Sequence, residues 1–528
     1  MRRKNNSMKR LAAVSMAIVM ACSAMGCQGT GGKSKGGVDS NGEALVIGAP
    51  KLGYGTAWTE ALAEAYTEKT GNPVTVKIDP PDINYVAMIQ SGTGDYDIYL
   101  TRVAAQQILK SMGDKDLLVD MTELYKKKNP YDDNQTTIEE KLKEGYRRYN
   151  EYVETDGSIH YYGLQYVDSI QQIVRNLDVW NESWPEPRTT DELLELCEII
   201  KKDNCTPFIW CAADSYWQNF YPVWVYQYQG YEDMIEFWSG TSPEGEKLSA
   251  DMWNRTGWLK TLEVMEELLL PENEYQDAYS RSVDFTSAQS YFISGNRNIA
   301  MMVNGDWLVN EMAKNYPNAN LEMMKTPVLS AIIEVLPGKS VSDDAELRAL
   351  IAAIDDKNTS LSGSGYEVTQ EDYDYVKECR TYYPNLNGHH QFLIPVNAKH
   401  KDVAEDFLQF CASDEGMMIM AESSGGFLAP YQYTEEQIAK IKADCDNDFV
   451  RSALDLRDGE MVATNMFRSN LFTLGGLKPV PNFNMSGTPE VLLSDEGAGY
   501  MDAKTIFNKN LGNVRSAWST ITTKAGYR

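Results

Sequence analysis

The chain has 528 residues, 43% of them hydrophobic and 24% charged, which are ordinary globular proportions. That length is enough for two lobes or domains, each with a buried core. The formal net charge is −27, and so acidic a surface repels phosphate backbones, which argues against a nucleic-acid partner and leaves neutral ligands such as sugars open.

Residues 1–26 hold Arg2, Arg3, Lys4, Lys9 and Arg10 and no acidic side chain. The apolar run "LAAVSMAIVMA" follows, about eleven residues long, the size of a signal-peptide core and too short to span a bilayer. Gly26-Cys27 resembles a bacterial lipoprotein cleavage site, at which the cysteine is acylated and becomes the mature N-terminus. Ordinary secretion with cleavage after Ser23 is the other reading. Residues 27–43 are polar and glycine-rich, as a flexible tether requires. The remaining cysteines (Cys197, Cys205, Cys211, Cys379, Cys411 and Cys445) form no C-x-x-C pair and no zinc-ligand spacing. Cys197 and Cys411 read as buried thiols on apolar helix faces.

"ALVIGAP" reads as a buried strand by its continuous apolar run. In "TAWTEALAEAYTEKTG", Trp58, Ala61, Leu62, Ala65 and Tyr66 recur at helical spacing and Gly71 suits the C-terminal cap. "PVTVKID", a short helix from Asn84 to Gln90 and "DYDIYLT" complete a strand–helix–strand–helix–strand series. Such a series predicts a parallel, doubly wound sheet, with ligand beyond the C-terminal strand ends. The pattern restarts with "YYGLQYVDSIQQIVRNLDVW", a crossing segment and a strand, followed by the helix "TTDELLELCEIIKK" and the strands "TPFIW" and "NIAMMV". Asn304-Gly305 then reads as a tight turn leading into a helix that begins near Trp307. "HHQFLIPVNAKHKDVAEDFLQFCASDEG" is a strand, a turn and a helix whose apolar face is Val403, Ala404, Phe407, Leu408 and Cys411. His389 and His390 read as surface or strand-end residues, and residues 330–387 as an insertion or partly irregular segment.

The segments "GYGTAWTEALAEAYTEKTG", "YYGLQYVDS", "PRTTDELLELCEIIKK", "ISGNRNIAMMVNGDWLVNEM" and "FLIPVNAKHKDVAEDFLQFCASDE", in that order, resemble the extracellular solute-binding proteins of family 1, carbohydrate-binding lipoproteins that serve ABC importers. The resemblance spans roughly Ala44 to Tyr433. Two positions depart from the family pattern: Gln165 stands in place of a common proline, and Arg175 precedes Asn176 where tyrosine is usual. The resemblance implies a two-lobed α/β fold of the periplasmic-binding-protein type, with parallel-type sheets flanked by helices and a ligand cleft between the lobes. The leader would be 1–26 and the tether 27–43. The N-terminal lobe would comprise 44–163 and 328–421, and the C-terminal lobe 164–327 and 422–528. It also implies a monomer on the extracellular face of the cytoplasmic membrane, a saccharide ligand, and ABC permease subunits driven by a cytoplasmic ATPase as partners. No metal or cofactor is implied.

Sugar recognition needs aromatic rings against C–H faces and directed polar groups for hydroxyls. Trp307, at the end of a strand, fits the first need and falls at the family's stacking tryptophan. As a cleft residue it should be partly exposed before ligand arrives. Asp306 is either a helix N-cap or a hydroxyl acceptor. Trp210 and Asp214, in the loop after "TPFIW", are ligand contacts or packing residues. Tyr54 lies in the glycine loop after the first strand, Tyr166 and Asp168 in the crossing segment, and Phe427 in "GGFLAPY". Trp58 and the stripe Trp217, Trp224 and Tyr228 follow helical faces and read as core.

Enzyme motifs fail. "GKSKG" matches G-x-S-x-G but lies in the tether, away from any strand–helix elbow, and none of the four histidines makes an H-E-x-x-H pattern. A surface glycoside hydrolase with two catalytic carboxylates is the alternative in another class, and a non-sugar ligand the alternative within binding proteins. If Cys27 carries the anchor, Cys27→Ala releases the protein from the membrane fraction into the medium; unchanged retention contradicts lipidation.

Overall fold

The computed structural model describes residues 44–102, 106–213, 221–240, 248–357, 367–385, 390–457, 459, 461–463, 466–478, 481 and 499–527. Its strands are β1 (Leu45–Pro50), β2 (Val74–Asp79), β3 (Ile98–Leu100), β4 (Tyr152–Val153), β5 (Ile159–His160), β6 (Leu164–Gln165), β7 (Gln171–Asn176), β8 (Thr206–Phe208), β9 (Ile299–Gly305), β10 (Leu321–Met324), β11 (Tyr383–Asn385), β12 (Gln391–Leu393) and β13 (Met461–Ala463). The first sheet has the order β2-β1-β3-β12-β6 and the second β10-β7-β9-β8; β4-β5 and β11-β13 form separate pairs.

The expectation of parallel sheets holds only in part. β1 runs parallel to β2 and β3, joined to β2 by the crossover helix Ala57–Thr70, and β8 is parallel to β9. β12 is antiparallel to both β3 and β6, and β7 is antiparallel to β9 and β10. The reason is connectivity. The chain leaves the first sheet after β6, enters the second at β7, and rejoins the first at β12. A strand returning by that route is not bound to the parallel direction a local helical crossover imposes.

Local chemistry sets the element ends. Gly71 takes a left-handed conformation (φ 79°) and its N–H caps the first helix at the Thr67 carbonyl, as its type and place predicted. The buried face of that helix is Trp58, Thr59, Leu62, Ala63 and Tyr66. Cys197 and Cys411 are buried, and Trp224 is inaccessible to solvent. The segment 330–387 is more regular than its sequence suggested. Helices Asp344–Asp355 and Gln370–Thr381, N-capped by Asp343 and Thr369, pack on each other. Asp372 accepts hydrogen bonds from the Gly338 and Ser340 N–H groups (2.6 and 2.7 Å) and holds the intervening turn. The second helix is mostly polar, so no apolar periodicity announced it. At the C-terminus, the 22-residue helix Ala503–Lys524 packs on helix Thr256–Leu269, and its Phe507 ring stacks on Trp253 at 5.6 Å.

Asp97 ties the first sheet to the helix Lys401–Cys411. Its buried carboxylate accepts from the N–H groups of Val46 (3.0 Å), Lys399 (2.8 Å) and His400 (3.1 Å). Asp97→Ala strands those donors, and we expect a loss of about 3 kcal/mol, read as a lower urea midpoint with an unchanged slope.

Candidate functional site

Loops at the ends of both sheets meet in one aromatic cluster. Tyr54, four residues past the end of β1, sits at its centre. Its ring makes edge contacts with Phe427 (4.9 Å, 83°), His390 (5.7 Å, 84°) and Trp307 (6.1 Å, 74°). Tyr166 adjoins the group through His390 (5.6 Å), with Trp58 at 5.3 Å and Phe392 at 5.2 Å on its other flanks. Its hydroxyl donates to the Thr101 carbonyl (3.1 Å).

The Asn304-Gly305 turn is absent. β9 continues through Gly305, and a five-residue helix starts at Leu308 with Trp307 as its N-cap residue. Glycine is required at 305 for space: a Cβ there would lie 2.2 Å from the Trp307 six-membered ring. A Cβ on Gly53 would likewise stand 3.2 Å from the Trp307 Cβ. Two glycines, one on each side, therefore let the tryptophan fold back over its own strand and against the loop of β1. Trp307 is only 7% exposed, so the expectation of a partly open ring is corrected: with the two sheets in this arrangement, Gly53 and Tyr54 cover it.

A buried polar network adjoins the rings. Asp168 is inaccessible to solvent and pairs with Lys143 Nζ (2.8 Å). It also accepts from the Tyr146 hydroxyl (2.5 Å) and the Tyr383 hydroxyl (3.4 Å). Asn385 donates to the Tyr146 oxygen (2.6 Å) and accepts from Ser169 Oγ (3.0 Å). Burial opposes ionisation of Asp168, but Lys143 and Arg457 outweigh it and hold the carboxyl below its ordinary value. Asp306 is neither an N-cap nor solvent-facing. It is fully buried, ion-paired with Arg457, and its N–H donates to the Ile170 carbonyl (3.1 Å). Burial, opposed by Arg457 and aided by Asp168, pushes the Asp306 carboxyl up to about 7.

The other sequence candidates divide. Tyr54, Trp307, Phe427 and Tyr166 come together, and Asp168 and Asp306 lie in the adjoining network. Trp210 does not join them: it is 1% exposed and stacked on Phe208 (4.8 Å, 16°), a core position set by the short strand β8. Asp214 and His389 lie outside the described residues. His390, read as a surface or strand-end residue, is instead buried between Tyr54 and Tyr166. Lys143, Tyr146, Tyr383 and Arg457 were missed. The spacing of Lys143 and Tyr146, three residues apart at the start of a helix, was the one local signal that could have paired two of them. Among the described residues no group of three or more His, Cys, Asp or Glu is placed to hold a metal ion, and no helix is long and apolar enough to cross a membrane.

Residues 61–446 match the family model of the bacterial extracellular solute-binding proteins, and the chain belongs to that family. It is a solute-binding protein, and its family is one of binding proteins, not enzymes. No curated protein sequence matches it. Solved structures share the fold at low identity. The bacterial solute receptor AcbH, whose reported preference is for β-D-galactopyranose, is 14% identical with a TM-score of 0.53, over 90% of this chain and 99% of its own. The GacH receptor of Streptomyces glaucescens, solved unliganded and with acarbose, is 14% identical with a TM-score of 0.51, over 90% and 98%. A protein of xylan utilisation from Caldanaerobius polysaccharolyticus is 12% identical with a TM-score of 0.50, over 91% and 100%.

Removing Asp168 leaves the Lys143 ammonium without its partner, and Asp168→Ala should cost about 3–5 kcal/mol in chemical unfolding. Because the folded pKa lies below 3.8, the carboxylate's contribution is complete above that value and is lost as the pH falls through the lower folded value. The variant should therefore show a shallower loss of stability on the acid side.

Proposed function

We propose that the protein binds a saccharide between its two sheets and delivers it to an ABC importer. The observation that carries this reading is the ring cluster: Tyr54 from the loop after β1 and Trp307 from the end of β9 approach each other from different sheets. Both are strand-end positions, where ligands of open α/β sheets bind. A sugar ring entering there would exchange the Tyr54–Trp307 contact for C–H contacts on each ring, with Phe427 and Tyr166 alongside. Asp168, Asp306 and their partners would supply hydroxyl contacts once the sheets part. Trp210 and Asp214 remain second-rank candidates, the former disfavoured by its stacking in the core.

The lobes would be 44–163 with 328–421, and 164–327 with 422–528, hinged near those boundaries. Ligand touching both lobes stabilises the closed arrangement by its differential affinity, and the permease reads that state. The acylated Cys27, after removal of 1–26, would hold the protein on the outer face of the cytoplasmic membrane, with 27–43 as tether. The sugar ligands named for the AcbH and GacH receptors support the choice of a saccharide over other solutes.

Trp307→Ala should weaken saccharide binding by about 2–4 kcal/mol, on the order of 30- to 1000-fold. Because the ring is buried, the same variant also loses folding stability, so affinity is measured by titration calorimetry on the folded protein, below its unfolding transition. Trp307→Phe, which keeps a ring, should recover part of both. Unchanged affinity in the folded Trp307→Ala protein would make Trp307 a core residue only. The bound glycan should be recovered intact; release of reducing ends, abolished by one carboxylate substitution, would favour the hydrolase.

A further inference from the structure

Next to the aromatic cluster lies a groove of about 770 Å³ whose charge runs against that of the chain. Five cations line it: Lys143, Lys325, Lys357, Lys442 and Arg457. Among the described residues its carboxylates are two, Glu435 and Asp455, and Asp455 is already paired with Lys442. Even when Asp168 and Asp306 behind Lys143 and Arg457 are counted, cations outnumber carboxylates among the described residues here, in a protein whose net charge is −27.

The decisive residue is Arg457. Its side chain is 3% exposed and pairs with Asp306 through Nη2 only. Among the described residues its Nε and Nη1 are buried donors that meet no acceptor. Buried donors of a guanidinium are costly to leave unmet, and an arginine lining a groove with two spare donors is suited to an anion. Lys357, at the other rim, is exposed and makes no ion pair among the described residues. Between the cations, Leu428, Tyr433, Ile438 and Leu454 give the groove an apolar wall. Size, wall and charge together match a small solute with one C–H face and one acidic group.

We propose that this groove is an anion-accepting site, taking a small solute that carries a carboxylate or phosphate group, with Arg457 and Lys357 as its charged contacts. An acidic sugar and a sugar phosphate share that chemistry. The proposal is independent of the saccharide reading, because it needs a charge and makes no use of Trp307. The two regions touch through two ion pairs: Arg457 holds Asp306, the neighbour of Trp307, and Lys143 holds Asp168.

The test is titration calorimetry at low salt on the full folded protein with three probes: digalacturonate, inorganic phosphate and a neutral disaccharide. Wild type should bind digalacturonate or phosphate, and added sodium chloride should weaken that binding. Whether one or both anions bind separates the carboxylate from the phosphate source. The variant Lys357→Ala should lower the anion affinity about tenfold. Its urea midpoint should stay close to wild type, since Lys357 is exposed; Arg457→Lys, which keeps a cation beside Asp306, provides a second variant with the same expected loss. Failure of both anions to bind wild type, or equal binding by all variants, overturns the anion site. The neutral disaccharide addresses the saccharide reading alone: its binding by wild type and by Lys357→Ala leaves that reading standing whatever the anions do.

Discussion

The Asp168 carboxylate is the constraint on which the arrangement of the two sheets depends. It stands in the five-residue passage between β6 and β7, where the chain leaves one sheet for the other. Its main chain bonds to Leu428 (2.8 Å), and its side chain gathers Lys143 and Tyr146 from one helix start and Tyr383 from β11. A buried carboxylate is tolerated only when its acceptor sites are filled, so the position of each partner is fixed by the cost of leaving that charge unmet. Lys143 and Tyr146 lie before the passage and Tyr383 long after it, and one ion thereby links the outgoing and returning chain.

Around that anchor the aromatic cluster is assembled by omission as much as by contact. Gly305 and Gly53 carry no Cβ where one would strike Trp307, so the indole can lie across the end of β9 and meet the loop of β1. The result joins side chains from two sheets without any covalent or ionic link between them. Ring–ring edge contacts of this kind are worth about 0.5–1.5 kcal/mol each beyond area burial, weak enough for a ligand with aromatic affinity to replace. The proposed closure on a ligand would draw on that balance, since a ligand shifts an equilibrium only by its differential affinity for the two states.

What could be read from the sequence followed local spacing. The strand β1, the helix capped by Gly71, the cysteines on apolar faces and the order of segments were visible because apolar period and cap chemistry act within a few residues. The ring positions Tyr54, Trp307, Tyr166 and Phe427 were legible as strand-end or crossing residues. The pairing of Asp306 with Arg457 was not, because 151 residues separate them and nothing in the sequence near Arg457 marks a buried cation. The antiparallel returns of β12 and β10 were hidden for the same reason. Trp210 shows what spacing leaves open: its place after a strand allowed either a loop contact or packing, and its ring stacks on Phe208.

The account stands most directly on where a ligand lies. A crystal structure of the protein with a bound saccharide should show a sugar ring between the Tyr54 and Trp307 side chains, their mutual contact at 6.1 Å replaced by one contact from each ring to the sugar. A saccharide bound elsewhere, with those two rings still in contact, would contradict it.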